Sequence, residues 1–264
     1  MIALRKFLQK VTYYLYRSNF VYLPKGYMID SSIVITEFIG EGGYALVYKG
    51  YHLKENKVIT IKQIRKHQYL FYKREELVRE IAMYFYLDNN LSWCKSIHQD
   101  DFDFLVLPFS KGDTLESLLF EQNVSFSVKE ALQVFLLIIK KVKEIHERGI
   151  VHHDLRLPNI LFDGKNITII DFGLAEKIDH VTISNVVIQP DMFKLGHLLL
   201  FLLYSSYSVD KSKKGKTWQD ELQVSDEVKQ VIRKLLLLDE PYSTDDELIE
   251  NITFLCLEEL KTSN

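Results

Sequence analysis

A change of hydrophobic period partway along the chain limits its fold more than any other feature. Between about residues 33 and 65, apolar and polar positions alternate around glycines, in Ile33-Val34-Ile35, Ala45-Leu46-Val47-Tyr48 and Val58-Ile59-Thr60-Ile61. That is the two-residue period of short antiparallel strands. From Tyr69 to Leu87, apolar Leu77, Ile81, Tyr84 and Phe85 recur at helical spacing, and Phe102 to Phe109 returns to a strand pattern. Lys111-Gly112-Asp113 breaks the pattern, and helical periods dominate the remainder. Ala131 to His146 is strongly apolar on one side and is predicted to be a helix that stops at Gly149. The expected class is α+β, a small antiparallel sheet with one key helix first and a larger, mainly helical part second.

The chain has 264 residues, 47% of them hydrophobic, enough apolar material for a substantial core in one domain or two intimately packed lobes. A net charge of -3 gives no whole-molecule field for nucleic acid, so no such partner is expected. Cys94 and Cys256 lie far apart, without CxxC spacing or a neighbouring His, which argues against a disulfide framework or a zinc site. A reducing cytoplasm is the expected location. The segment from Met1 to Arg17 is broken by Arg5, Lys6 and Lys10, so it lacks the apolar core of a secretory signal. Leu195 to Val209 contains His197 and hydroxyl residues and falls short of the about 20 apolar residues of a membrane span, so it reads as a buried core helix.

Chemistry concentrates in two places. The first is Gly40-Glu41-Gly42-Gly43-Tyr44-Ala45-Leu46-Val47, flanked by strand patterns, where glycines would let backbone N–H groups approach phosphate oxygens. A plain glycine hairpin explains this run equally well. Lys62 ends a strand that could lie beside it, although a lone strand lysine is usually a solvated charge. The second place is His152-His153-Asp154-Leu155-Arg156-Leu157-Pro158-Asn159-Ile160-Leu161, followed by Ile169-Ile170-Asp171-Phe172-Gly173. Phosphoryl transfer needs a carboxylate near the attacking hydroxyl, a cation near the moving phosphoryl group and oxygen ligands for magnesium. Asp154, Arg156, Asn159 and Asp171 supply that inventory in chain order, which separate turns and caps do not explain jointly.

With these motifs in order from about residue 27 to 255, the sequence resembles the eukaryotic-like serine/threonine protein kinases, including compact bacterial members. The resemblance implies a two-lobed fold, divided as a basic extension over 1–26, an N-lobe over 27–109 and a C-lobe over 110–264. It implies that Gly40, Glu41, Gly42, Gly43, Tyr44, Ala45 and Val47 form the glycine-rich loop, that Lys62 holds the α- and β-phosphates of ATP, and that Glu80 is its helix partner. Glu75 and Glu76 lie on the same predicted helix, but Glu80 precedes Ile81, Tyr84 and Phe85 in the family's local pattern. Asp154 would be the catalytic base with Arg156 beside it, and Asn159 and Asp171 the ligands of Mg2+ or Mn2+. Thr60, Leu107, Pro108, Ser110 and Leu161 would line the adenine site, Leu107 as gatekeeper. Because the family holds adenine through the carbonyl of the residue after the gatekeeper, Pro108 does no harm there, and Ser110 would supply the N–H. Asp191 to Gly196 resembles the start of the buried helix that anchors the catalytic loop, and Glu227 to Asp239 a late helix of the large lobe.

Several positions depart from the family pattern. Ala45 replaces the third loop glycine, Thr60 the usual alanine against adenine, and Arg156 the usual lysine, whose ammonium a planar guanidinium does not match in geometry. His153 replaces the arginine that receives an activation-loop phosphate in many relatives. The stretch between Gly173 and Asp191 is short and lacks Ala-Pro-Glu, and Asp239-Glu240-Pro241-Tyr242-Ser243-Thr244 lacks the arginine that pairs with that glutamate. Losing both halves together avoids an unpaired buried charge. The expected activity is transfer of the γ-phosphate of Mg-ATP to a protein hydroxyl, with autophosphorylation and without control by loop phosphate. A small-molecule or sugar kinase on the same architecture, or a catalytically silent nucleotide-binding scaffold, is the alternative.

Before Asp30 the charges are basic, Arg5, Lys6, Lys10, Arg17 and Lys25, and Leu4, Leu8, Val11 and Leu15 fall at helical spacing. This amphipathic stripe is expected to pack on a lobe. The sharper alternative is peripheral attachment of residues 1–20 to an anionic membrane surface.

Overall fold

The computed structural model describes residues 21–42, 45–64, 74–91, 93–178, 185–207 and 217–262, with backbone alone at 74–77, 185, 186, 261 and 262. Internal contacts divide the chain between Phe109 and Ser110 into two units.

The first unit carries β1 (Met28–Ile29), β2 (Ile33–Glu41), β3 (Ala45–His52), β4 (Lys57–Ile64), α1 (Arg74–Leu87), β5 (Lys95–Gln99) and β6 (Phe102–Pro108). The strands form one antiparallel sheet in the order β1-β2-β3-β4-β6-β5. Its core is the apolar face of that alternation, with Ile33, Ile35, Tyr48, Ile59, Ile61 and Phe104 fully buried. Close approach explains Gly50 on β3, where a Cβ would lie 3.0 Å from the Val34 carbonyl oxygen. Register shifts between Ile35 and Glu37 and between Phe38 and Gly40 bend β2 just before its glycines.

Residues 21–26, which the sequence reading assigns to the extension, are held on this sheet. Leu23 N–H donates to the Tyr48 hydroxyl (3.1 Å), which donates to Gln63 Oε1 (2.9 Å), and Gln63 Nε2 donates to the Val21 carbonyl (3.2 Å). Tyr48 and Gln63 are buried, so each needs these partners. The amphipathic stripe itself lies outside the described residues.

The second unit carries β7 (Asp113–Thr114), a π turn at Ser117–Glu121, α2 (Val128–His146), β8 (Ile150–Val151), β9 (Ile160–Phe162), β10 (Ile167–Ile169), β11 (Glu176–Lys177), α3 (Asn185–Tyr204), α4 (Trp218–Glu221), α5 (Asp226–Leu235) and α6 (Asp245–Thr262). Two small antiparallel sheets, β10-β9-β7 and β11-β8, frame the segment from 152 to 171. α2 starts three residues earlier than its apolar pattern suggests, because Ser127 and Glu130 form a reciprocal capping box. Its Phe135, Ile138, Val142 and Ile145 are buried, and it packs on α3 and α6.

α3 also starts earlier than expected, at Asn185, and runs through Pro190, a residue that usually ends such a pattern. Its stretch Val187–Tyr204 is long and apolar enough to cross a membrane by length and composition, and half of it is buried within the structure. Met192, Leu195, Leu199 and Leu202 belong to the core of this unit. At Gly196 a Cβ would stand 3.0 Å from side-chain atoms of Leu235 and Leu236, so glycine lets α3 and the end of α5 approach closely.

Candidate active site

The sequence-predicted residues fall into two groups, one in each unit. In the first unit, β4 lies between β3 and β6, and Lys62 stands opposite Val47 and Leu105. Its Nζ is 2.6 Å from Glu80 Oε1 of α1, with the lysine side chain 16% exposed and the glutamate side chain 0%. Such a charge cannot be buried alone, so each residue holds the other in place. Thr60 lies two residues before Lys62 on the same face of β4, opposite the buried Leu107 of β6, and Pro108 ends that strand. The side chains of Glu75 and Glu76 lie outside the described residues.

The glycine run is a β2–β3 hairpin, with Gly40 opposite Val47, Glu41 opposite Leu46, and Gly42 N–H bonded to the Ala45 carbonyl at 2.9 Å. Gly43 and Tyr44, expected at its tip, lie outside the described residues. A Cβ on Gly40 would meet nothing within 4 Å, and one on Gly42 only the Ala45 oxygen at 3.6 Å. Among the described residues, contacts therefore do not demand glycine at either position. Glu41 accepts a hydrogen bond from the Tyr22 hydroxyl (3.1 Å), while the Tyr22 ring meets Phe38 edge-on.

In the second unit, the segment between β8 and β9 is pinned by a buried carboxylate. Asp191 of α3 accepts from the backbone N–H of His152 (2.7 Å) and of His153 (2.8 Å), and is 0% exposed. His153 takes a left-handed backbone (φ 63), as does Asp171 (φ 67). Asp and His enter that region more readily than most non-glycine residues, though still at a cost.

Asn159 Nδ2 donates to both the backbone oxygen and Oδ2 of Asp154, each at 2.9 Å. That fixes the Asp154 carboxylate and turns the amide oxygen of Asn159 the other way. Backbone pairing continues the arrangement: Ile170 N–H donates to the Asn159 carbonyl (3.0 Å), placing Asp171 one residue further on. Arg156 Nε is 3.5 Å from Asp154 Oδ2, with the arginine side chain 62% exposed, so it is a solvated cation beside the carboxylate and adds little stability. Leu161 is buried on β9 between Thr114 and Thr168, and Ser110 is half-buried as the first residue of this unit.

His152 supports this segment from below. Burial pushes its pKa down, so the ring is neutral, and its Nε2–H donates to the Ile170 carbonyl (3.2 Å). Nδ1 is then the acceptor for Asp154 N–H (3.3 Å), and Phe172 packs edge-on at 4.8 Å. His153 points its Nε2 to within 3.6 Å of Glu176. In the stretch that lacks the family's arginine, Tyr242 is 1% exposed, with Lys234 Nζ 4.3 Å over its ring and its carbonyl accepting from Gln189. Tyr242 is thus a core residue of this unit.

The sequence is similar to those of known protein kinases. The family model described as protein kinase domain matches residues 33–191. A probable serine/threonine-protein kinase of Bacillus subtilis is 31% identical over 244 residues, covering 87% of this chain and 91% of that protein. A probable serine/threonine-protein kinase of Clostridium perfringens is 26% identical over 167 residues, covering 61% of this chain and 24% of that protein. The serine/threonine-protein kinase PLK4 of Nematostella vectensis is 25% identical over 267 residues, covering 84% of this chain and 27% of that protein.

Proposed function

This chain belongs to the protein kinase domain family and is an ATP-dependent protein serine/threonine kinase; we propose that Asp154, Arg156, Asn159 and Asp171, with Lys62 and Glu80, carry its reaction. The observation that carries the reading is the buried Lys62–Glu80 pair, since a solvated surface lysine has no need of a fully buried carboxylate.

Asp154 accepts the proton of the attacking serine or threonine hydroxyl as that oxygen bonds to the γ-phosphorus, and the bond from the γ-phosphorus to the β,γ-bridging oxygen breaks to release ADP. Asn159 keeps the carboxylate aimed through its two 2.9 Å bonds. Lys62, oriented by Glu80, neutralises the α- and β-phosphates, and Arg156 offsets charge near the transferred group. Open space at Gly40 and Gly42 leaves the hairpin backbone accessible to phosphate oxygens. Leu107, Thr60, Pro108, Ser110 and Leu161 are assigned to adenine.

The family uses a divalent metal, and the residues present fit one: the Asn159 amide oxygen, directed away from Asp154, and the Asp171 carboxylate would supply oxygen ligands of the kind a hard cation takes. We assign Mg2+, which when bound offsets the charge of the β- and γ-phosphates. Autophosphorylation belongs to the same proposal.

The test is incubation of purified protein with γ-labelled ATP, Mg2+ or Mn2+, and generic protein substrates. Label on protein that disappears in Asp154→Asn supports the assignment. ATP consumption without protein labelling would instead favour a small-molecule acceptor, and neither would leave a nucleotide-binding scaffold.

A further inference from the structure

His146, the last residue of α2, lies between two carboxylates in the interior. Its Nε2 is 3.1 Å from Asp191 Oδ2 and its Nδ1 is 2.9 Å from Asp245 Oδ2. The imidazole is 3% exposed and Asp191 0%, while Asp245, the first residue of α6, is 12% exposed. Carboxylates only accept, so both bonds require a hydrogen on each ring nitrogen, which is the imidazolium form. Burial by itself would push the imidazole pKa down, but the bonds to Asp191 and Asp245 outweigh it and raise the value to about 9. The C-terminal end of α2 favours the same positive charge.

Asp191 is also the carboxylate that receives the N–H groups of His152 and His153, immediately before Asp154. A continuous chain of hydrogen bonds therefore runs from the start of α6 through Asp245, His146 and Asp191 to the backbone that carries Asp154. With a neutral imidazole one ring nitrogen would lose its hydrogen, and one of the two carboxylates would be left without that donor.

We propose that Asp245 and His146 are positioning residues for phosphoryl transfer: Asp245 keeps His146 doubly protonated, and His146 fixes Asp191, whose grip on His152 and His153 sets the place of the Asp154 carboxylate. This rests on the assignment of Asp154 given above. Among the described residues, the charged and titratable groups facing the imidazole are Asp191 from α3 and Asp245 from α6, with His152 beyond Asp191. β8 and β10 contribute none. On α2 itself, Lys143 is engaged by Glu147 and Asp246.

Steady-state kinetics of the full chain against pH, for wild type, Asp245→Asn, Asp245→Glu and His146→Gln, test the proposal at a temperature where each variant is folded by circular dichroism. Asp245→Asn and His146→Gln are expected to lower kcat about tenfold, since small misplacements of a reacting group cost rate steeply. KM for ATP should stay within about twofold, because the chain of bonds acts on the backbone that carries Asp154, which orients the hydroxyl and does not hold nucleotide. In Asp245→Asn the alkaline limb of kcat should move to lower pH, and Asp245→Glu should restore both kcat and the limb.

Variants that melt earlier yet keep the wild-type kcat and alkaline limb would overturn the proposal and leave the cluster purely structural. If the variants do not fold, the wild-type protein decides by comparison of its pH–kcat profile with the imidazole NMR titration: an alkaline limb that follows loss of the second imidazole proton supports the proposal, and a limb independent of it overturns it. Failure of the kinase assignment would be seen separately, as a wild-type protein without transfer activity.

Discussion

Glu80 places a fully buried carboxylate oxygen 2.6 Å from the ammonium of Lys62, across the step from α1 to the centre of the sheet. Each single variant removes a different half of this pair, so the two have different signatures. Lys62→Met should lower turnover by orders of magnitude and, by removing the cation 2.6 Å from a fully buried carboxylate, should lower stability as well. Glu80→Gln keeps shape and removes charge, so it should reduce activity while costing less stability. Radiolabel transfer and chemical denaturation measure the two effects, and full activity in Lys62→Met would remove this lysine from the phosphate role.

Asp154→Asn should abolish transfer while leaving ATP affinity nearly unchanged, since the carboxylate orients the hydroxyl and does not hold nucleotide. Asn159→Ala should act on two functions together. It removes both bonds to Asp154 and one oxygen proposed for the metal, so transfer should fall and the Mg2+ concentration giving half-maximal rate should rise. An Asn159→Ala protein with unchanged metal dependence would restrict Asn159 to orienting Asp154.

What the sequence disclosed and what it hid follow from how far apart the partners lie and how distinctive each is. The hairpin glycines, Lys62 and the run from His152 to Gly173 were legible because special residue types recur there at fixed local spacing. Residues 21–26 were not, because their bonds to Tyr48 and Gln63 join ordinary residues far along the chain. The same holds for His146 and Asp245, separated by 99 positions and each unremarkable alone. β5 leaves little trace in the sequence because Lys95-Ser96-Ile97-His98-Gln99 is a half-exposed edge strand with little apolar contrast. The start of α2 was within reach, since Ser127 and Glu130 have capping-box spacing before an apolar run.

The cluster around His146 also predicts how stability depends on pH. His146 is raised in the fold, so its contribution is complete below the unfolded value of about 6.5 and is lost as pH rises through about 9. Asp191 is lowered: burial acts against ionisation, but the bonds from His146 and His152 prevail. Its contribution is present above the usual carboxylate range and is lost as the medium turns acid through its depressed pKa. Tm should therefore fall on both sides of neutrality, and His146→Gln should flatten the alkaline side specifically. An unchanged alkaline slope in that variant would assign the loss to another group.

With His153 in place of the phosphate-receiving arginine, and its Nε2 3.6 Å from Glu176, activity should not require phosphate on Thr182 or Ser184, two hydroxyls outside the described residues. Alanine at both should leave most activity. Complete loss, rescued by acidic residues at the same positions, would establish a phosphate switch of another form.

The hydrogen-bonded ring joining Val21 and Leu23 to Tyr48 and Gln63 separates two roles of the N-terminal segment. Tyr48→Phe keeps the ring volume but leaves Leu23 N–H and Gln63 Oε1 without their partner, both in a buried setting, so a loss of about 1–3 kcal/mol is expected. Deleting residues 1–20 leaves that ring intact, and any further fall in Tm then measures what the stripe of Leu4, Leu8, Val11 and Leu15 contributes by packing on the protein. We expect such a fall, together with no co-sedimentation of the full chain with anionic vesicles at low salt. Each basic residue near an anionic surface adds about 1 kcal/mol of attraction, so Arg5, Lys6, Lys10 and Arg17 would make membrane attachment readily measurable. Sedimentation that the deletion abolishes, without any change in Tm, would assign the stripe to the membrane and overturn the packing reading.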